Sequence, residues 1–92
     1  MKVIKINAIW CSACIIMDKV WDRVNSKYHL ETISLDYDFD SSEVEKYNPG
    51  NVIPIFIFID DDKELFRITG EHKDKEMIDL IEKLGGIHEN NN

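Results

Sequence analysis

Two cysteines, Cys11 and Cys14, stand three positions apart in Trp10-Cys11-Ser12-Ala13-Cys14, and the chain holds no others. The run Val3–Ile9 before them reads as a strand, and Ile15–Trp21 after them reads as a helix. The pair therefore falls where a strand turns into a helix. A helix start offers unpaired N–H groups and a partial positive charge, and both favour thiolate over thiol. Cysteines in such places become more acidic, from about 8.5 into roughly the 3.5–7.5 range. Cys11 lies at or just before the first turn and is the expected attacking sulfur. Cys14 lies one turn in and is expected to be more covered. Side chains three apart in a first turn are neighbours, so the two sulfurs can join and part with little backbone movement. The chemistry this suits is disulfide exchange. Cys11 attacks a partner's disulfide, and Cys14 then attacks the Cys11 sulfur and releases the reduced partner.

Two plainer readings compete. The pair could be half of a zinc or cluster site completed in a dimer, although zinc wants four ligands and no second pair is present. His29, His72 and His88 show no ligand spacing to one another. The cysteines could also be small buried hydrophobes. Their position at a strand-to-helix junction favours the reactive reading. So does the small gain in stability from a disulfide closing so short a loop.

The elements that must position the pair follow in order. Strand one is expected over about 2–9, with Ile4, Ile6 and Ala8 on one face and Val3, Lys5 and Asn7 on the other. Lys5 and Asn7 interrupt a face that should be covered. Helix one is expected over about 12–27, with an inner stripe of Ala13, Ile16, Met17, Val20 and Val24 and with Trp21 flanking. Asp18 falls on the cysteine side, one turn beyond Cys14, either as a solvated residue or as a proton carrier. Strand two, about 30–35, should run parallel to strand one after a right-handed crossover. That brings Asp36, Tyr37, Asp38 and Asp40 to the cysteine edge, as a solubilising loop or as a charge filter for basic partners.

Ser41 or Ser42 is expected to cap a short second helix running to about Tyr47. Asn48-Pro49-Gly50-Asn51 breaks the chain. Ile53–Ile59 is the most apolar run and reads as a buried central strand, with Pro54 tolerated at its start. Asp60–Lys63 turns into a returning strand, 64–69. Gly70 suits a positive φ or a close backbone approach. A last helix is expected over about 73–84, ended by Gly85-Gly86, with a flexible tail over 87–92. His29 and His72 sit at element boundaries and are expected to be exposed.

The chain's 92 residues and 43% hydrophobic content fit one domain, taken as residues 1–86. The formal net charge of −7 argues against nucleic acid and anionic membranes as partners. No signal peptide and no bilayer-spanning segment is visible, so the expected location is the cytoplasm, where such cysteine pairs are usually catalytic.

Three landmarks carry a family resemblance. Trp10-Cys11-Ser12-Ala13-Cys14 resembles the thioredoxin active site. Val52-Ile53-Pro54 resembles the family's Ile-Pro before a core strand, and Gly70 resembles a third landmark after the returning strand. All three stand in register over about residues 2–84. The resemblance implies a cis bond at Ile53-Pro54. It also implies a loop of Val52, Ile53 and Pro54 that holds an extended substrate chain, with Trp10 as an apolar contact over the pair. The dipeptide Ser12-Ala13 departs from the family's Gly-Pro and leaves the redox potential open. The chain starts at the strand feeding the cysteines, so it is similar in size to a glutaredoxin core, though glutaredoxins usually lack the tryptophan.

A second departure is Lys5. Thioredoxins usually carry a buried aspartate six residues before the first cysteine, and Lys5 stands there. A buried lysine must reach water, find an anion or lose its proton. With a cysteine thiolate as the available anion, Lys5 is expected to stabilise the reduced pair and make the protein more oxidising; the alternative is a lysine that snorkels to the surface.

The expectation is therefore an α/β, thioredoxin-like fold, β-α-β-α-β-β-α, with a four-stranded mixed sheet and helices on both faces. The expected function is thiol–disulfide oxidoreduction on protein disulfides. It needs no organic cofactor and no metal. A thioredoxin-reductase-like enzyme or glutathione would be the electron donor, and the protein would be a monomer.

Overall fold

The structure, a computed structural model, describes residues 1–90. Four strands and three helices alternate as β1 (Lys2–Asn7), α1 (Ser12–Asn25), β2 (Glu31–Asp36), α2 (Ser41–Glu45), β3 (Ile55–Asp60), β4 (Lys63–Thr69) and α3 (Asp74–Asn90). The sheet order is β2-β1-β3-β4. β1 pairs parallel with β2 and antiparallel with β3, and β4 pairs antiparallel with β3. The expected mixed sheet is thus observed, with the cysteine-bearing end of β1 beside the end of β2.

Strand alternation sorts the core into two layers. Val3, Phe56 and Phe58 pack with Met17, Val20, Trp21 and Val24 of α1 and with Met77, Ile81 and Leu84 of α3. Ile4, Ile6, Ile55, Ile57 and Ile59 pack on the other face with Val44 of α2. Helices therefore cover both faces, which is why β1 and β3 are apolar on both. The β3–β4 hairpin turns at Asp61 and Asp62, both with positive φ, the geometry of a two-residue turn matched to strand twist. The register shifts between Phe58 and Ile59, so that Leu65 has no opposite partner in the ladder. No helix among the described residues is long and apolar enough to cross a membrane.

Four expectations change. Strand one stops at Asn7; Ile9 is 78% exposed beyond it. The inner stripe of α1 is Cys14, Met17, Val20, Trp21 and Val24, so Trp21 is core and Ile16 is half exposed. With Cys14 turned inward, positions three, seven and ten further on share its face, which carries Trp21 in and Ile16 out. Asp40, not Ser41 or Ser42, is the N-cap of α2, and it makes no side-chain cap bond. Its carboxylate accepts instead from the backbone N–H of Asp36 at 2.8 Å. Finally, α3 runs through Gly85-Gly86 to Asn90. A helical glycine costs about 1 kcal/mol relative to alanine but does not forbid the conformation. Of the proposed tail, residues 91–92 lie outside the described residues.

Candidate active site

The turn between β1 and α1 presents the two sulfurs. Cys11 N–H donates to Ala8 O at 3.2 Å, closing the turn. Cys11 is the N-cap of α1, extended at φ −95° and ψ 108°, and its Sγ accepts the N–H of Cys14 at 3.2 Å. A sulfur thus takes the place that a serine or aspartate oxygen usually fills at a helix start. The first turn of α1 carries no acidic residue to oppose negative charge on that sulfur. The Cys11 thiol also points at Ile53 O, 3.8 Å away. Both cysteines are unpaired thiols, with Cys11 7% and Cys14 2% exposed.

The two sulfurs differ in environment. Burial pushes the Cys14 thiol up to about 12, helped by its hydrogen bond to Cys11 and by the negative charges of Cys11 and Asp18, against a backbone hydrogen bond at Ala8 that pulls it down. Cys14 therefore stays protonated near neutral pH.

Around the pair pack Ala8, Ala13, Tyr37 and Ile53. Tyr37 is a residue that the sequence left without a role beyond the acidic loop. Its backbone N–H donates to Asn7 O at 2.8 Å, which joins the loop after β2 to the end of β1. Trp10 stands beside Cys11, 66% exposed, and its indole N–H donates to Asp38 Oδ2 at 2.6 Å. The acidic loop thus lies at the cysteine edge, but its carboxylates have local partners. Asp36 Oδ1 accepts from the N–H groups of Asp38 and Phe39, each at 2.9 Å. Nothing in the sequence beyond strand order could have paired Trp10 with Asp38.

The opposing loop comes from the start of β3. The Ile53-Pro54 peptide is cis, as the resemblance implied. Val52 is 57% exposed, Ile53 is half-buried against the cysteines, and Pro54 is fully buried. Gly70 N–H donates to Pro54 O at 2.9 Å. Gly70 has φ +79°, while a Cβ there would meet nothing nearer than Val52 Cγ1 at 3.8 Å. Conformation rather than space calls for glycine.

Lys5 does not reach a cysteine in the structure. Its Nζ donates to Asp18 Oδ1 at 2.8 Å, with side chains 13% and 43% exposed respectively. The expectation that a thiolate is its anion is therefore corrected. Lys5 lies on the β1 face covered by α1, and Asp18 stands on α1 one turn after Cys14, within ion-pair reach of it.

The comparisons agree with this geometry. The family model described as Thioredoxin matches residues 1–83. Among solved structures, thioredoxin 1 from Thermosipho africanus TCF52B superposes with a TM-score of 0.85 at 20% identity, over 97% of this chain and 99% of that one. The reduced thioredoxin pre-protein of Schistosoma mansoni gives 0.77 at 25% identity, over 88% of this chain and 75% of that one. Thioredoxin from Trypanosoma brucei brucei gives 0.80 at 19% identity, over 90% and 73%. None of the curated proteins matches the chain.

Proposed function

Because the chain belongs to the thioredoxin family, whose general chemistry is thiol–disulfide oxidoreduction, we propose that it reduces protein disulfides through Cys11 and Cys14. One observation carries the assignment of roles: Cys11 Sγ caps α1 and accepts the Cys14 N–H at 3.2 Å. That hydrogen bond and the helix start stabilise negative charge on Cys11, while burial keeps Cys14 a thiol.

The exchange runs in two displacements. The Cys11 thiolate attacks one sulfur of the partner's disulfide. That bond breaks, a mixed disulfide forms, and the released partner thiolate takes a proton from water. Cys14 then gives up its proton to water and attacks Cys11 Sγ. The mixed disulfide breaks, the second partner thiolate leaves, and Cys11–Cys14 closes with two electrons passed to the partner. Trp10 and the Val52-Ile53-Pro54 loop flank the sulfurs and hold the partner chain, with the Ile53 carbonyl facing Cys11. The electrons reside in the sulfurs, so no organic cofactor and no metal take part. A thioredoxin-reductase-like enzyme or glutathione restores the dithiol, and the protein works as a monomer in the cytoplasm.

The test is to trap the intermediate. Cys14→Ser accumulates mixed disulfides with a disulfide-bonded protein, and Cys11→Ser accumulates none. Alkylation of the reduced protein near neutral pH modifies Cys11 first. Modification of Cys14 first overturns the assignment.

A further inference from the structure

A groove of about 420 Å³ runs between α1 and the start of α3, and the exchange as described does not use it. Its floor is apolar. Ile16 and Val20 line it from α1, and Ile16 is 49% exposed there, off the inner stripe of the helix. The opposite wall is the segment Glu71–Lys73 with Asp74 and Glu76 of α3.

Both walls are held by the protein itself. The backbone N–H of His72 donates to Met17 Sδ in the core at 3.3 Å, and the His72 ring lies against Thr69 O at 3.1 Å. Arg23 of α1 donates through Nε and Nη2 to the two carboxylate oxygens of Asp74, at 2.8 and 2.9 Å, and ties the walls together one turn beyond Val20. The near end leads to the cysteines. Ala13, Ile16 and Val20 share one side of the helix by their spacing, and Ala13 packs against the cysteine cluster. Glu71 follows Gly70, whose N–H is bonded to Pro54 O. One wall thus starts at the first turn of α1 and the other beside the cis-proline loop.

We propose that this groove is a specificity subsite for the substrate chain, taking an apolar side chain about three residues from the attacked cysteine and favouring a basic residue next to it. The proposal rests on the reading of Cys11 and Cys14 as an exchange couple. The occupant follows from reach, surface and charge. From Ala13 to Val20 is about 10 Å of helix, which an extended chain covers in about three residues. An aliphatic side chain laid on Ile16 removes apolar surface of both from water. On the rim, Asp74 is held by Arg23, and Glu76 accepts the Lys73 N–H at 3.0 Å with the His72 ring 3.5 Å away. Glu71 has no hydrogen bond or ion pair among the described residues, so its carboxylate is free for a cation. Lys73 adds one positive charge against the three carboxylates of the rim. The net charge of −7 also favours a basic partner segment over an acidic one. Ile16 and Glu71 select the chain, and the sulfurs carry out the chemistry.

The probe is a set of peptides joined through their cysteine to thionitrobenzoate: Cys-Ala-Ala-Leu-Lys, Cys-Ala-Ala-Leu-Glu and Cys-Ala-Ala-Ala-Ala, each also made in the reverse order. In reduced Cys14→Ser the Cys11 thiolate attacks the peptide sulfur. The bond to thionitrobenzoate breaks, the coloured thiolate leaves, and the Cys11–peptide disulfide forms. Each rate is divided by that of the same peptide with N-acetylcysteine, which removes intrinsic reactivity. In one chain direction the Leu-Lys peptide reacts about tenfold faster than the all-alanine one, the order expected for partial burial of a leucine side chain. It reacts about threefold faster than the Leu-Glu peptide, the order of an exposed ion pair.

Adding Ile16→Ser abolishes the leucine preference, and adding Glu71→Lys reverses the lysine preference. A leucine preference that is absent, or that survives Ile16→Ser, overturns the proposal. A lysine preference unmoved by Glu71→Lys overturns it as well. So does a dimer in sedimentation that Ile16→Ser disperses, which assigns the groove to a second copy of the chain. An activated disulfide reacts with any accessible thiolate, so these ratios are read even if the parent turns over no protein disulfide. That failure sinks the functional reading alone.

Discussion

The indole N–H of Trp10 donates to the carboxylate of Asp38 at 2.6 Å, joining the residue before the first cysteine to the loop after β2. The bond spans 28 positions of sequence and fixes a large ring that is otherwise 66% exposed. A free tryptophan there would lose rotamer freedom on meeting a partner, whereas a tethered one has already lost it. Asp38→Ala is therefore expected to slow reduction of a disulfide-bonded protein by about fivefold, the order of one modest hydrogen bond. Reaction with a small disulfide such as oxidised glutathione should be almost unchanged. Equal slowing of both would locate the effect at the sulfurs instead of the ring.

Burial of Cys14 ties stability to pH. Its thiol is held up at about 12 in the folded state, against an ordinary value of 9.0. A group raised on folding contributes stability that is complete below its unfolded value and is lost as pH rises through the folded one. The reduced protein should therefore lose stability between about pH 9 and about pH 12. Tyr28 is also raised to about 12, chiefly by its hydrogen bond to Glu82, and it adds to loss in the upper part of that window. Urea midpoints of the reduced parent should fall more steeply with pH than those of reduced Cys14→Ser, in which Tyr28 is unchanged. Parallel curves would mean that Cys14 titrates as an ordinary thiol.

What the sequence made legible was local. A strand followed by Cys-x-x-Cys and an amphipathic run places Cys11 at a helix start, and Cys11 is the N-cap of α1. The unbroken apolar run of β3 implies cover on both faces, and Phe56 and Phe58 do pack opposite to Ile55 and Ile57. What escaped depends on partners far along the chain. The phase of α1 is set by Cys14 facing the sheet, a tertiary fact, so Trp21 could not be ranked above Ile16 from periodicity alone. Lys5 was expected to reach water, find an anion (a cysteine thiolate) or lose its proton. That anion was misassigned, because Asp18 reaches it across two packed elements. The loop aspartates looked like a solvated charge run, yet Asp36, Asp38 and Asp40 each accept a specific hydrogen bond.

Arg67 holds the segment leading to the cis-proline loop. Its Nη2 donates to Tyr47 O at 2.8 Å and its Nη1 to Asn48 O at 3.1 Å. Its Nε and Nη2 also donate to the two carboxylate oxygens of Glu64, which keeps that carboxyl below the usual glutamate range. A lysine cannot span both carbonyls and the carboxylate, because it lacks the planar fork. Arg67→Lys should cost about 1–2 kcal/mol in chemical denaturation. A carboxyl lowered on folding adds stability above its unfolded value and loses it as pH falls. The gap between parent and variant should therefore narrow below about pH 4, the ordinary glutamate value. A gap that is constant with pH would mean that only the backbone contacts matter.

Trp21 is the joint between α1, β2 and β3, and it offers the sharpest test of the core. It is 2% exposed, with its ring 5.4 Å from Phe56 and 5.8 Å from Phe58. Its indole N–H donates to Thr32 Oγ1 on β2 at 3.0 Å. The Thr32 hydroxyl in turn donates to Leu30 O at 3.2 Å, so each polar atom in the chain of bonds has a partner. Two variants separate packing from polarity. Trp21→Ala removes the ring and leaves a cavity between helix and sheet, at an expected cost of about 3–5 kcal/mol. Thr32→Val keeps the shape and leaves the indole N–H buried without an acceptor, at about 1–3 kcal/mol. Trp21 emission, separable from exposed Trp10 by its resistance to quenching, should stay blue-shifted in Thr32→Val. A neutral Thr32→Val would mean that the indole finds water, and that burial alone sets the contribution of Trp21.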